Sequence, residues 1–204
     1  MNDEGLQTLR TQARILRVLL PAFAAVQLLF QLAEAAGLLL LSETPVTGME
    51  MAAGIIGIAF VALFIACIIF TAMWLSRANT NLREAGREMV ISQRGTWGWY
   101  FVPIANLFKP YAAMSEFWNE SLRTDGSFGS LDHSLLRTWW GCWIVGNILS
   151  NVTTRLEAMG TSSVFQALNW IASATVIAAA LLLLRIVREV TIAQANLGAA
   201  SVFD

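Results

Sequence analysis

Residues 51–75 read MAAGIIGIAFVALFIACIIFTAMWL, twenty-five positions without a single charge. A bilayer hydrocarbon core of about 30 Å is crossed by about 20 apolar residues in a helix. This stretch therefore specifies a transmembrane helix, and lipid becomes the solvent against which the rest of the chain is read. Three further runs fit the same criterion. One spans about residues 17–41, and from Val18 to Leu41 it is interrupted only by Gln27, Gln31 and Glu34. A second lies at 137–155, where Arg137 and Arg155 bracket seventeen uncharged residues that suffice if both guanidinium heads reach toward the interfaces. The last, about 162–185, ends at Arg185 and Arg188. The first run is too long for the roughly 7–15-residue apolar region of a secretory signal, although Ala33-Glu34-Ala35 resembles a cleavage site.

Composition agrees with a membrane environment. Of 204 residues, 56% are hydrophobic and 13% charged, against roughly 25% charged in soluble domains. A net charge of -1 shows no basic excess of the kind nucleic-acid binding uses, so no nucleic-acid partner is expected. Cys67 and Cys142 each sit within an apolar run and set up neither a disulfide framework nor a zinc spacing. His133 is the single histidine. Paired carboxylates beside a base, a His/Glu metal motif and a phosphate-cradling glycine loop are all missing from the sequence, so no catalytic residue, metal or cofactor is assigned and the chain is not expected to be an enzyme.

Threading follows from charge. Twelve of the thirteen basic residues lie before the first run, between the second and third, or after the fourth. The positive-inside rule makes those segments cytoplasmic, with both termini inside. Seven of the eight tryptophans map to the same side, at the depth indole rings favour. The expected architecture is a single all-α membrane domain over 1–204, a four-helix transmembrane bundle with a cytoplasmic-side interfacial or re-entrant region at 76–136.

That region holds the most distinctive residues. Arg77 to Ala85 continues the second span as a helix, which Gly86 stops. The stretch 97–111, WGWYFVPIANLFKPY, is apolar but broken by Pro103, Asn106, Lys109 and Pro110. A straight spanning helix is disfavoured there, because proline removes a donor and polar groups in hydrocarbon need partners. Trp97, Trp99, Pro103 and Asn106 are accordingly placed in the inner interface or in a dip that returns. Pro110 then opens an amphipathic helix with Tyr111, Met114, Phe117, Trp118, Ser121 and Leu122 on one face and Glu116, Asn119, Glu120 and Arg123 on the other. Such a helix anchors to the membrane surface, packs beneath the bundle, or docks a cytoplasmic partner. Glu116 and Glu120 read as a solvated surface.

The segments RANTNLREAG at 77–86, WYFVPIANLFKPY at 99–111 and EFW at 116–118 resemble the bacterial membrane-protein family catalogued as domain of unknown function 4328. The resemblance implies a multi-helix fold in a bacterial cytoplasmic (inner) membrane. It brings no activity and no site residue with it.

Polar residues within spans are costly, so their spacing marks where a site could form. Gln27, Gln31 and Glu34 share one face of the first helix. Asn147, Ser150, Asn151 and Thr154 share a face of the third, and Ser162, Gln166, Asn169 and Ser173 one of the fourth. Under the inferred threading all three stripes fall in the outer half of the bilayer. They serve either as interhelical hydrogen bonds or as an outward-opening polar pocket. Arg155 is the only basic residue on that side, and we expect it to approach Glu34. Ala53, Gly54 and Gly57 offer small residues for close packing of the second helix. Arg10, Arg14 and Arg17 share a face that orients the first helix or contacts anionic lipid. The function expected is non-enzymatic interaction, scaffolding or sensing, with a small transporter or channel as the alternative. Expected partners are the lipid bilayer, an unidentified membrane or cytoplasmic protein, and a second copy of the chain.

Overall fold

A computed structural model of the protein describes residues 2–36, 48–92, 95–98, 104–123, 131–157 and 163–200. Among them every regular element is helical: α1 (Asp3–Ala35), α2 (Gly48–Glu84), a single turn α3 (Gly95–Gly98), α4 (Lys109–Leu122), α5 (Ser134–Glu157) and α6 (Ser163–Ala200), with a 3₁₀ turn at Ala105–Leu107. The helices α1, α2 and α6 are long and apolar enough to cross a bilayer, which makes the chain a multi-pass membrane protein. Residues 37–41, the far end of the first expected span, lie outside the described residues. The 24 residues of α5 extend about 36 Å at 1.5 Å per residue. Its length suffices, but Asn147, Ser150, Asn151, Thr153 and Thr154 dilute its apolar character, so among the described residues three helices rather than four meet both conditions.

The chain divides into two compact units. Unit 1 comprises Met1–Val18, Ile68–Thr138 and Leu182–Asp204, and unit 2 comprises Leu19–Cys67 and Trp139–Leu181. Unit 1 has a conventional packed interior. From α1 it buries Leu6, Leu9, Ala13 and Leu16, a helical stripe at three- and four-residue steps, while Arg10, Arg14 and Arg17 stay exposed. Fully buried beside these are Trp74 and Leu82 of α2, Phe117 of α4, Leu136 of α5 and Ile186 of α6. Each such large side chain contributes roughly 1.5–3 kcal/mol by leaving water. The α4 face expected from periodicity is the one packed: Pro110, Met114, Phe117, Trp118 and Ser121 are buried, with Tyr111 half-buried.

Unit 2 has the opposite surface. Ile55, Ile58, Val61, Ile65, Ile148, Val164 and Ile171 are all exposed, Ile58 at 72%. Only 6% of the most apolar window of α2 is buried. A surface of this kind suits lipid, in which helices associate through packing and not through expulsion of water. The packing is aromatic between α1 and α2, where Phe60 lies 5.6 Å from Phe23 and 5.2 Å from Phe30 between ring centroids. Between α5 and α6 it is close. A Cβ placed on Gly146 would lie 2.9 Å from Val176 Cγ2 and 3.2 Å from Thr175 Oγ1. In α2 a Cβ placed on Gly57 would lie 3.6 Å from the Phe30 ring, whereas one on Gly54 would meet nothing within 4 Å; the side chain of Ala53 lies outside the described residues.

Candidate functional site

In unit 2 the polar residues of α1 and α6 meet. Gln27 Nε2 donates to Ser173 Oγ at 3.0 Å, and Asn169 Nδ2 donates to Glu34 Oε1 at 2.9 Å. Gln27 and Glu34 are seven residues apart, as are the positions two turns apart on any helix face, so both bonds lie along one seam. Gln31 lies between them in the α1 sequence. It is buried, and its Nε2 has no hydrogen-bond partner among the described residues. Gln166 is half-buried one turn before Asn169.

The α5 stripe does not join this seam. Asn147 Nδ2 donates to Trp143 O and Asn151 Nδ2 to Asn147 O, both at 2.8 Å, and Thr154 Oγ1 donates to Ser150 O at 2.9 Å. These side chains are exposed and satisfy themselves on their own helix, as short polar residues do. Arg155 is exposed as well, and no ion pair joins it to Glu34 among the described contacts; the Asn169 amide takes that place. The expected approach of Glu34 and Arg155 is therefore corrected. Arg155 stands exposed in the last turn of α5, where its guanidinium keeps the solvation that an ion pair within the span would remove.

Unit 1 contains a denser polar arrangement that the spacing of residues did not single out. Asn81, wholly buried, donates from Nδ2 to Gly5 O (3.3 Å) and Gln194 Oε1 (3.5 Å) and accepts at Oδ1 from Arg77 Nε (2.8 Å). Gln194, also wholly buried, donates to Ala78 O (3.3 Å) and Ser121 Oγ (3.2 Å). One carboxamide pair thus ties together α1, α2, α4 and α6. Higher on the same helix of unit 1, Trp74 Nε1 donates to Thr191 Oγ1 at 3.1 Å. Arg77 also pairs with Glu84 at 3.4 Å. The visible signal was a pair of asparagines, Asn79 and Asn81, in a helix that otherwise buries Trp74, Ala78 and Leu82.

The same motif holds the chain that follows. Gly86 sits at φ 77°, a left-handed conformation that glycine adopts without steric cost. Gly86 N donates to Arg83 O and Arg87 N to Leu82 O, both at 3.0 Å, a Schellman closure of α2. Arg83 then donates from Nη2 to Met89 O (2.8 Å) and Ile91 O (3.0 Å), and Asn79 Nδ2 donates to Ile91 O at 3.0 Å. From the other side Glu116 of α4 accepts from the backbone amides of Val90 and Ile91, the latter at 3.1 Å. Glu116 is thus a clip on the 87–92 segment and not the solvated charge its helical position suggested. His133 is likewise structural, its Nε2 lying 2.8 Å from Asn119 Oδ1.

Of the interfacial residues, Trp99 and Pro103 lie outside the described residues, as does the side chain of Trp97. Asn106 occupies the 3₁₀ turn with its Oδ1 buried and without a hydrogen-bond partner among the described residues; Trp118 Nε1 is in the same condition. Flanking that turn, Ile104, Leu107 and Phe108 are exposed apolar side chains.

Neither the curated proteins nor the solved structures contain a match to this chain. A family model does match: it covers residues 38–192, a span that includes the Arg77–Gly86 motif, the 3₁₀ turn, α4 and the unit 2 seam residue Asn169. The chain therefore belongs to the family described as Domain of unknown function (DUF4328).

Proposed function

We propose that the protein is a non-enzymatic scaffold or sensing protein of the bacterial cytoplasmic membrane, crossing it four times with both ends in the cytoplasm. The observation that carries this reading is the exposed apolar tip of Ile104, Leu107 and Phe108, set on a unit whose polar side chains are largely occupied in holding it rigid. An apolar tip beside Lys109, in front of an amphipathic helix, suits insertion into the inner leaflet or the binding of a partner there.

Support for α5 as the fourth span comes from its length, from Trp139, Trp140 and Trp143 at one end with Arg155 at the other, and from the tight seat of Gly146 on Val176. Support for the threading comes from the arginines. The transporter alternative draws on the α1 to α6 polar seam. Its two hydrogen bonds act as cross-links, and the α5 stripe turns back on its own backbone, which favours the scaffold.

The test is photo-cross-linking in native membranes from a probe at Leu107, followed by purification of the full chain. A discrete protein adduct that disappears when Ile104 and Phe108 are changed to Ser supports a scaffold. No such adduct, combined with solute flux through the purified protein in vesicles, supports the transporter instead.

A further inference from the structure

Within unit 1 a groove of about 350 Å³ runs between residues 10–17 of α1 and 184–196 of α6. Arg10, Arg14 and Arg17 line it from α1 and Arg188 from α6. All four are exposed, none of them forms a hydrogen bond or ion pair among the described residues, and no carboxylate lines the groove. The three α1 arginines follow i, i+4, i+7 spacing, so like charges stand one above another on a single face, an arrangement that is unfavourable until an anion enters. The Thr191 hydroxyl in the wall is already occupied by Trp74 and by Val187 O. The donors left for a ligand are therefore the four guanidinium groups and the exposed carboxamide of Asn196.

The groove is also half apolar. Leu184 and Val187 line it beside the arginines. Leu184 is the last residue of the uncharged stretch of α6, and Arg17 immediately precedes the apolar run of α1. A site at that position meets the boundary between acyl chain and headgroup, with four planar donors shaped to grip phosphate oxygens.

The geometry points to a binding site for a phosphate ester, supplied by the headgroup of an anionic phospholipid whose acyl chain lies along Leu184 and Val187. This rests on the membrane placement proposed above. It goes beyond orientation of the first helix, because Arg188 from the other end of the chain completes the site.

The experiment is native mass spectrometry of the full chain released from nanodiscs, with phosphatidylglycerol and phosphatidylcholine as competing lipids and inorganic phosphate as a soluble competitor. Phosphatidylglycerol should be retained in preference to phosphatidylcholine. The double variant Arg14→Gln, Arg188→Gln should bind it about 30-fold more weakly, at one surface charge interaction lost per arginine. Arg14→Lys with Arg188→Lys keeps the charge but not the planar fork and should lose less binding than the glutamine pair, while an unchanged helical circular dichroism spectrum in both pairs separates loss of the site from loss of the fold. Arg137→Gln, exposed but outside the groove, should change nothing. Equal retention of the two lipids, or equal losses from the groove and control variants, overturns the site. Displacement of phosphatidylglycerol by millimolar phosphate overturns the lipid assignment in favour of a soluble phosphate. Because nanodiscs present the probe lipid on both leaflets, failure here counts against the groove, and failure of the threading is read separately by cysteine labelling.

Discussion

Replacing Asn81 by Ala removes one carboxamide and three hydrogen bonds, to Gly5 O, Gln194 Oε1 and Arg77 Nε. The three losses are unequal. Gly5 O lies in an α-helix and keeps its backbone donor four residues on, so its loss is small. Gln194 is wholly buried and keeps no donor for its oxygen, which costs about 1–3 kcal/mol. The Arg77 bond is charge-assisted and short, but its side chain is 24% exposed, so water recovers part of that interaction. The sum is roughly 2–4 kcal/mol, corresponding to a fall of roughly 6–12 °C in Tm for a chain of this size. Thermal unfolding of the purified protein in one detergent, followed by helical circular dichroism, measures it. Glu88→Ala, at an exposed position, is the control and should stay within about 0.5 kcal/mol of the parent. A Tm for Asn81→Ala indistinguishable from that control would show that the buried amides of unit 1 do not hold its helices together.

Further outcomes follow from the geometry. Gly146→Ala forces its new methyl against Val176 and should destabilise by about 1–3 kcal/mol, whereas Gly54→Ala meets nothing and should be neutral or stabilising; paired Tm measurements decide. A double-mutant cycle on Glu34→Ala and Asn169→Ala should give a coupling of about 0.6 kcal/mol, the usual size of an interhelical hydrogen bond in lipid, and a value of zero removes that cross-link. The hydroxyl of Ser134, and then its amide, donate to the Asp132 carboxylate and hold it below the usual aspartate range. Because that folded-state pKa is depressed, the contribution is complete above the ordinary value near 3.9 and is lost as pH falls through the lowered one. The carboxyl ¹³C titration of Asp132 should have a midpoint below that of free aspartate, and Ser134→Ala should raise it.

The sequence disclosed what depends on local pattern. Unbroken apolar length announced α2, period 3.6 announced the buried face of α4, and Gly86 announced where α2 stops. The spacing of Gln27 and Glu34 placed them on one face, and Asn169 and Ser173 on another, which is why their pairing was legible as a convergence of stripes. The α5 stripe looked equivalent by the same rule. Spacing alone does not reveal whether a short amide reaches a neighbouring helix or its own carbonyl four residues back, and Asn147 and Asn151 do the latter. Charge misled at three residues. Glu34 and Arg155 suggested a pair by sign alone, but an amide was nearer, and Glu116 looked solvated until the 87–92 backbone was seen to lie against it. The Asn81 and Gln194 pair joins residues 113 apart in sequence, a contact that only the tertiary fold creates.

Everything depends on lipid surrounding the apolar helices, with the arginines setting their direction. After Cys67 and Cys142 are replaced by Ser, single cysteines at Pro45, Val90, Gly160 and Ser201 can be offered to a thiol reagent that does not cross the membrane, applied to intact cells. Labelling at 45 and 160, with protection at 90 and 201 until the cells are opened, is the result predicted for four crossings with both ends inside. Modification of residue 90 while 45 stays protected would contradict the threading.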